Sequence, residues 1–143
     1  MTKNITVNVV GIQSGGDLTS KERIETSGNG TYYVRDNFCY ALYDEEDDRS
    51  GEKVSNMLKF SARKAEITRK GNTSTKMVFE PNKETLSVYE TPYGRFDLKI
   101  KTKALSVMEN AKKIIVSISY DMSINEGKAV NCSTTVTINS EEE

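Results

Sequence analysis

Histidine is absent from this 143-residue chain. Its absence excludes Ser-His-Asp and Cys-His nucleophilic catalysis, histidine-ligated zinc and a proximal-histidine haem. It also removes the one side chain whose ordinary pKa lies near neutrality, so acid–base chemistry would have to retune a carboxylate, lysine, cysteine or tyrosine. No catalytic residue, metal or cofactor is therefore expected, and the chain reads as non-enzymatic. No apolar run approaches the roughly 18 residues that a spanning helix requires, so no membrane span is expected. No leader with a charged and then an apolar segment is expected. The two cysteines, Cys39 and Cys132, accordingly read as reduced thiols packed in strands, and a cytoplasmic location is expected. Neither sign of charge dominates: Lys plus Arg number 20 against 21 Asp plus Glu, a net charge of −1. That balance gives no general attraction for polyanions, and no nucleic-acid partner is expected.

What the chain does have is alternation. Apolar and polar residues trade places with a period of two almost from end to end, the mark of half-buried strands, and no helical pattern of useful length appears. Ile5, Val7 and Val9 share one face. Ile24, Thr26, Gly28, Gly30, Tyr32 and Val34 share another over an unusual length. Phe38, Tyr40 and Leu42 follow, with Cys39, Ala41 and Tyr43 on the reverse. After an acidic, turn-rich stretch at 44–52 come Val54, Leu58 and Phe60, then Ala65 and Ile67, then Thr75, Met77 and Phe79. Leu86, Val88 and Tyr89 form the next run, and Phe96, Leu98 and Ile100 the one after. The pattern slips near Thr102–Ala104, which predicts a β-bulge, and resumes with Leu105 and Val107. Ile114, Val116, Ile118, Tyr120, Met122 and Ile124 form the longest apolar face. Val130, Cys132, Thr134, Val136 and Ile138 close the series before an acidic tail at 140–143.

Eight to ten strands joined by short turns imply up-and-down antiparallel topology. Closure into a barrel removes both free edges, and Gly28 and Gly30 permit the coiling that a small barrel needs; an open sandwich is the alternative. The expected fold is a single all-β domain spanning 1–143, a closed antiparallel up-and-down β-barrel.

Thr91-Pro92-Tyr93-Gly94 is the strongest local signal. Proline suits the first central position of a type I turn and glycine the fourth, which predicts a hairpin with a G1 bulge. The segment Tyr89-Glu90-Thr91-Pro92-Tyr93-Gly94-Arg95-Phe96-Asp97-Leu98, with Thr102 a little later, resembles the signature of the bacterial YwiB-like family, a domain of unknown function. Tyr40-Ala41-Leu42-Tyr43-Asp44-Glu45 is similar to that family's Tyr–Glu strand, with Ala41 where a larger aliphatic residue is usual. Ile67-Thr68-Arg69-Lys70-Gly71 resembles its Arg-x-Gly turn. The three blocks fit in order and spacing across nearly the whole chain. The resemblance implies a calycin-like, that is lipocalin-like, barrel in a small cytoplasmic protein, and it carries over no catalytic residue.

Five residues are candidates for binding a ligand. Arg69 is in phase with Ala65 and Ile67 and would point into the barrel, where a guanidinium needs an anionic ligand or a carboxylate partner such as Glu45 or Glu90. Tyr32, Tyr40 and Tyr120 lie on faces read as apolar and could line a pocket or serve as ordinary core. Thr102 joins them from the resembling signature. The acidic run from Asp44 to Asp48 lacks the glycine and glutamate of an EF-hand loop and reads as solvated. The lysine stripe Lys99, Lys101, Lys103 has no interleaved aromatics and also reads as solvated. Two functions follow. In one, the barrel binds a small apolar or amphiphilic ligand without chemistry. In the other, the interior is filled and the outer surface meets a protein partner or a second copy. The large residues Phe60, Met77, Phe79, Phe96, Tyr120 and Met122 decide between them, according to whether they meet at the axis.

Overall fold

The computed structural model describes residues 3–15, 21–46 and 53–141. Most of the acidic stretch at 44–52 and the last two residues of the tail lie outside them. Ten strands follow one another in the order expected from the alternation: β1 (Lys3–Ser14), β2 (Glu22–Arg35), β3 (Phe38–Glu46), β4 (Lys53–Phe60), β5 (Ala65–Lys70), β6 (Ser74–Phe79), β7 (Glu84–Thr91), β8 (Gly94–Glu109), β9 (Lys113–Ile124) and β10 (Val130–Ser140). Each pairs antiparallel with its neighbours in sequence, and β1 pairs with β10 to close the barrel. An up-and-down closed barrel is therefore the architecture, with no free edge among the described strands.

Turn chemistry matches the residues that supply it. Asp36 and Asn37 both take positive φ, 52° and 70°, as a two-residue hairpin turn with right-handed strand twist demands. Asn82 and Asn125 do the same at 64° and 48°. The slip near Thr102 is a register shift between Thr102 and Ala104 in the β8–β9 ladder, the expected bulge. The G1 bulge at Pro92-Tyr93 does not form. Thr91 faces Gly94 and Glu90 faces Arg95 in unbroken register, and Gly94 has φ 141°, outside the left-handed helical well. The Thr91 hydroxyl accounts for this: it accepts from the Tyr93 N–H and donates to the Gly94 carbonyl, each at 3.1 Å, closing the turn with a side chain.

The face of β3 is the reverse of that expected for Tyr40. Tyr43 and Ala41 are buried, and Tyr40 stands outside. The cause lies in β2. Gly30 pairs with Tyr43, and a Cβ on Gly30 would collide with the Leu42 carbonyl oxygen. A Cβ on Gly28 would collide with the Asp44 carbonyl and sit 3.3 Å from Tyr43 Cδ2. Two missing side chains thus bring β3 against β2 and leave space that the Tyr43 ring fills. Tyr40 instead stacks on Tyr33 outside the barrel, ring centroids 4.8 Å apart, with the Lys59 ammonium 4.5 Å from the Phe38 ring centroid.

The core is concentrated toward one half of the barrel. Phe60, Phe79, Ile5, Ile100, Ile118, Val7 and Val116 are fully buried, each contributing roughly 1.5–3 kcal/mol of hydrophobic stabilisation. Phe79 packs on Tyr120 at 4.7 Å between centroids. The large inward residues Phe60, Phe79 and Tyr120 thus share one plug, while Met77 is only partly buried at its edge. Between β6 and β7 the backbone ladder is limited to Ser74–Glu90 and Thr75–Tyr89. Further along this seam, side-chain hydroxyls take over: Thr85 donates to the Val78 carbonyl at 2.6 Å, and Ser87 to that of Lys76.

Candidate ligand-binding site

The inward phase of β5 runs Ala65, Ile67, Arg69, and that of β4 runs Phe60, Leu58, Asn56. Both strands pass from apolar to polar as they leave the plug. Where they do so, a cavity of about 160 Å³ opens, lined by Val9, Ile24, Leu58, Ile67, Met77 and Val136 on its apolar side. Gly11, Thr26 and Thr134 complete its wall. Thr134 is also the link to the plug, because its hydroxyl lies 3.2 Å from that of Tyr120.

The polar rim is one cluster. Glu45, in phase with Tyr43 and Ala41 on β3, has its side chain only 11% exposed. Its Oε1 accepts from Arg69 Nη2 at 2.6 Å and from Asn56 Nδ2 at 3.3 Å. Asn56 is itself buried and also donates to the Val54 carbonyl at 3.4 Å. Tyr43 completes the group. Burial, reinforced by the Glu45 carboxylate and opposed by Arg69, pushes its hydroxyl up to about 12. The rim therefore presents a neutralised ion pair, an amide and a protonated phenol. Arg69 keeps guanidinium donors that Glu45 does not use, and its side chain is 44% exposed.

The five sequence candidates fall in four places. Arg69 does reach the cavity, paired with Glu45, one of the two carboxylates considered for it. Tyr120 and Thr102 belong to the plug, at 5% and 1% exposure. The Tyr120 hydroxyl is pushed up to about 12, chiefly by burial. Thr102 Oγ1 is buried with no hydrogen-bond partner among the described residues. Tyr32 points inward at the opposite end of the barrel, beside Ile114 and Ile138. Tyr40 lies outside the barrel against Tyr33, a correction to its expected inward placement that follows from the packing of Tyr43 against Gly28.

Sequence reasoning missed Asn56 and Thr134. The signal was present: each is a polar residue in the apolar phase, Asn56 between Val54 and Leu58, Thr134 between Cys132 and Val136. A polar side chain in an inward series marks either a hydrogen-bonded rim or a pocket wall.

The comparisons agree with this architecture. Residues 7–136 match the family model described as "Domain of unknown function (DUF1934)". The chain is 31% identical over 110 residues to the "Uncharacterized beta-barrel protein YwiB" of Bacillus subtilis (strain 168), covering 77% of this chain and 76% of that protein. The crystal structure of the ywiB protein from Bacillus subtilis superposes with a TM-score of 0.84 at 28% identity, covering 99% of this chain and 94% of that one. This chain is a member of the DUF1934 family of β-barrel proteins.

Proposed function

We propose that the protein is a non-catalytic binding protein that holds a small amphiphile in the unfilled half of its barrel. The observation that carries the reading is the cavity of about 160 Å³ with an apolar wall and a single polar cluster at its rim. A cavity of that order takes a ring the size of benzene, well below the span of a fatty acid or a drug-sized ligand. The apolar body of the ligand rests against Ile67, Met77 and Val136. Its head meets Asn56, Glu45 and Arg69. Glu45 already neutralises Arg69, so an added carboxylate would have to displace it. A neutral head that both donates and accepts, such as an amide or hydroxyl, fits the rim without that cost. Absence of chemistry is in keeping with side chains tuned away from neutrality: burial pushes Tyr43 and Tyr120 up to about 12 and Cys132 up to about 11. Two free cysteines accord with a reducing compartment, so the site of action is proposed to be the cytoplasm.

A second reading rests on the outer surface. Leu86 is 78% exposed beside Val78 and Val88, and the Tyr33–Tyr40 stack lies half-buried on the outer face. Such patches serve contacts with a second copy or another protein. Native mass spectrometry of the protein purified from its own cells separates the two. A small-molecule adduct supports the pocket. A clean apo dimer supports the surface and contradicts the pocket.

A further inference from the structure

At the opposite end of the barrel from Arg69, a cavity of about 270 Å³ lies over a floor of Ile5, Ile114 and Ile138. Around it stand Lys3, Lys112, Lys113 and Tyr32. Six lysines elsewhere in the barrel are ion-paired. Lys59, Lys64, Lys76, Lys83, Lys99 and Lys103 each have a carboxylate within 4.0 Å. Lys3, Lys112 and Lys113 have none within that distance among the described residues. Glu109 shares the lining but reaches none of the three. Among the described lining residues, three lysines stand against one carboxylate, Glu109, over an apolar floor, and an excess of positive charge of that kind concentrates anions.

The lysines are also placed by the fold rather than scattered. Asn110 Oδ1 accepts from the backbone N–H groups of both Lys112 and Lys113 at 3.0 Å, fixing the β8–β9 turn that carries them. Lys3 and Tyr32 face each other in the β1–β2 ladder. Burial, then the Cys39 thiol, then the Glu109 charge push the Tyr32 hydroxyl above its ordinary range, so it remains a donor.

We infer that this end cavity is a second binding site, for a small oxyanion bearing an apolar substituent, an aryl or alkyl phosphate in class. The charged head lies among Lys3, Lys112, Lys113 and the Tyr32 hydroxyl, and the substituent covers Ile5, Ile114 and Ile138. The site is independent of the Arg69 cavity and stands or falls without it.

The test is an NMR titration of the full chain at low ionic strength with phenyl phosphate and, separately, inorganic phosphate. Saturable shifts are expected at the amides of Ala111, Lys112, Lys113 and Ile114, with phenyl phosphate the tighter of the two. The double variant Lys112→Gln, Lys113→Gln, which removes two exposed charges without touching the core, should weaken binding at least roughly tenfold. Arg69→Leu should leave it unchanged. Absence of saturable shifts at those amides overturns the site, as does undiminished binding by the double variant. Equal affinity for the two probes overturns the role of the apolar floor.

Discussion

Arg69 Nη2 and Glu45 Oε1 lie 2.6 Å apart at the mouth of the barrel, joining β5 to β3 across the intervening β4. The carboxylate is nearly buried while the guanidinium is half in water. The pair is therefore asymmetric: losing Arg69 strands a desolvated charge, whereas losing Glu45 leaves a cation that water can serve.

That asymmetry gives a stability prediction. Arg69→Leu should cost about 1–2 kcal/mol in urea denaturation, and Glu45→Gln less. The combined Arg69→Leu, Glu45→Gln variant should recover part of the loss, because a neutral pair strands no desolvated charge. If the two single changes simply add in the double variant, the contact contributes no coupling.

Gly30 sets how closely β3 approaches β2. Gly30→Ala places a methyl on the Leu42 carbonyl, and the strands must separate around Tyr43. A loss of at least about 3 kcal/mol is expected, or failure to fold. Gly11→Ala is the control, since its Cβ would meet only the Ile24 carbonyl oxygen at 4.0 Å. It should be neutral or slightly stabilising by thermal melting.

Thr102 carries a buried hydroxyl without a partner among the described residues. Thr102→Val keeps the shape and removes the unsatisfied group. Stabilisation by about 1 kcal/mol is expected from chemical denaturation, with no effect on binding at either cavity.

The pH dependence of stability should be alkaline. Tyr43 and Tyr120 rise from 10.0 to about 12 and Cys132 from 9.0 to about 11, in each case chiefly because burial disfavours the charged form. The unfolded chain therefore releases these protons at lower pH than the folded one. Their contribution is complete below about pH 9 and is lost as the pH rises toward about 12. Denaturation midpoints measured from neutrality upward should fall across that window, and Tyr43→Phe should flatten the fall.

Much of the architecture was legible because a closed barrel buries every strand on one side and so writes a period of two along the whole chain. Strand order and the bulge at Thr102 both followed from local pattern. The orientation of β3 did not, because Phe38, Tyr40 and Leu42 are as apolar as Cys39, Ala41 and Tyr43. Only the contact with Gly28 and Gly30, distant in sequence, chooses between them. The cavity rim was legible in part. Arg69 stands out as a charge in an inward series that calls for a carboxylate, and Glu45 supplies it. Asn56 and Thr134 gave the same signal more quietly, as polar residues among apolar ones. Whether a barrel leaves space is a matter of how side chains from ten strands meet at the axis, which no single strand records.

The central claim is that the Arg69 end of the barrel holds a usable cavity. The most direct test is an NMR titration of the full chain with benzamide, whose ring matches the apolar wall and whose amide can both donate to Glu45 and accept from Arg69. Saturable shifts are expected at the amides of Gly11, Thr26, Asn56 and Ile67. They should vanish in Gly11→Leu, which fills the space from a position where a side chain meets little resistance. That variant should remain folded within about 1.5 kcal/mol of the parent. Binding that persists unchanged in the filled variant, or no saturable binding by the parent, would contradict the account.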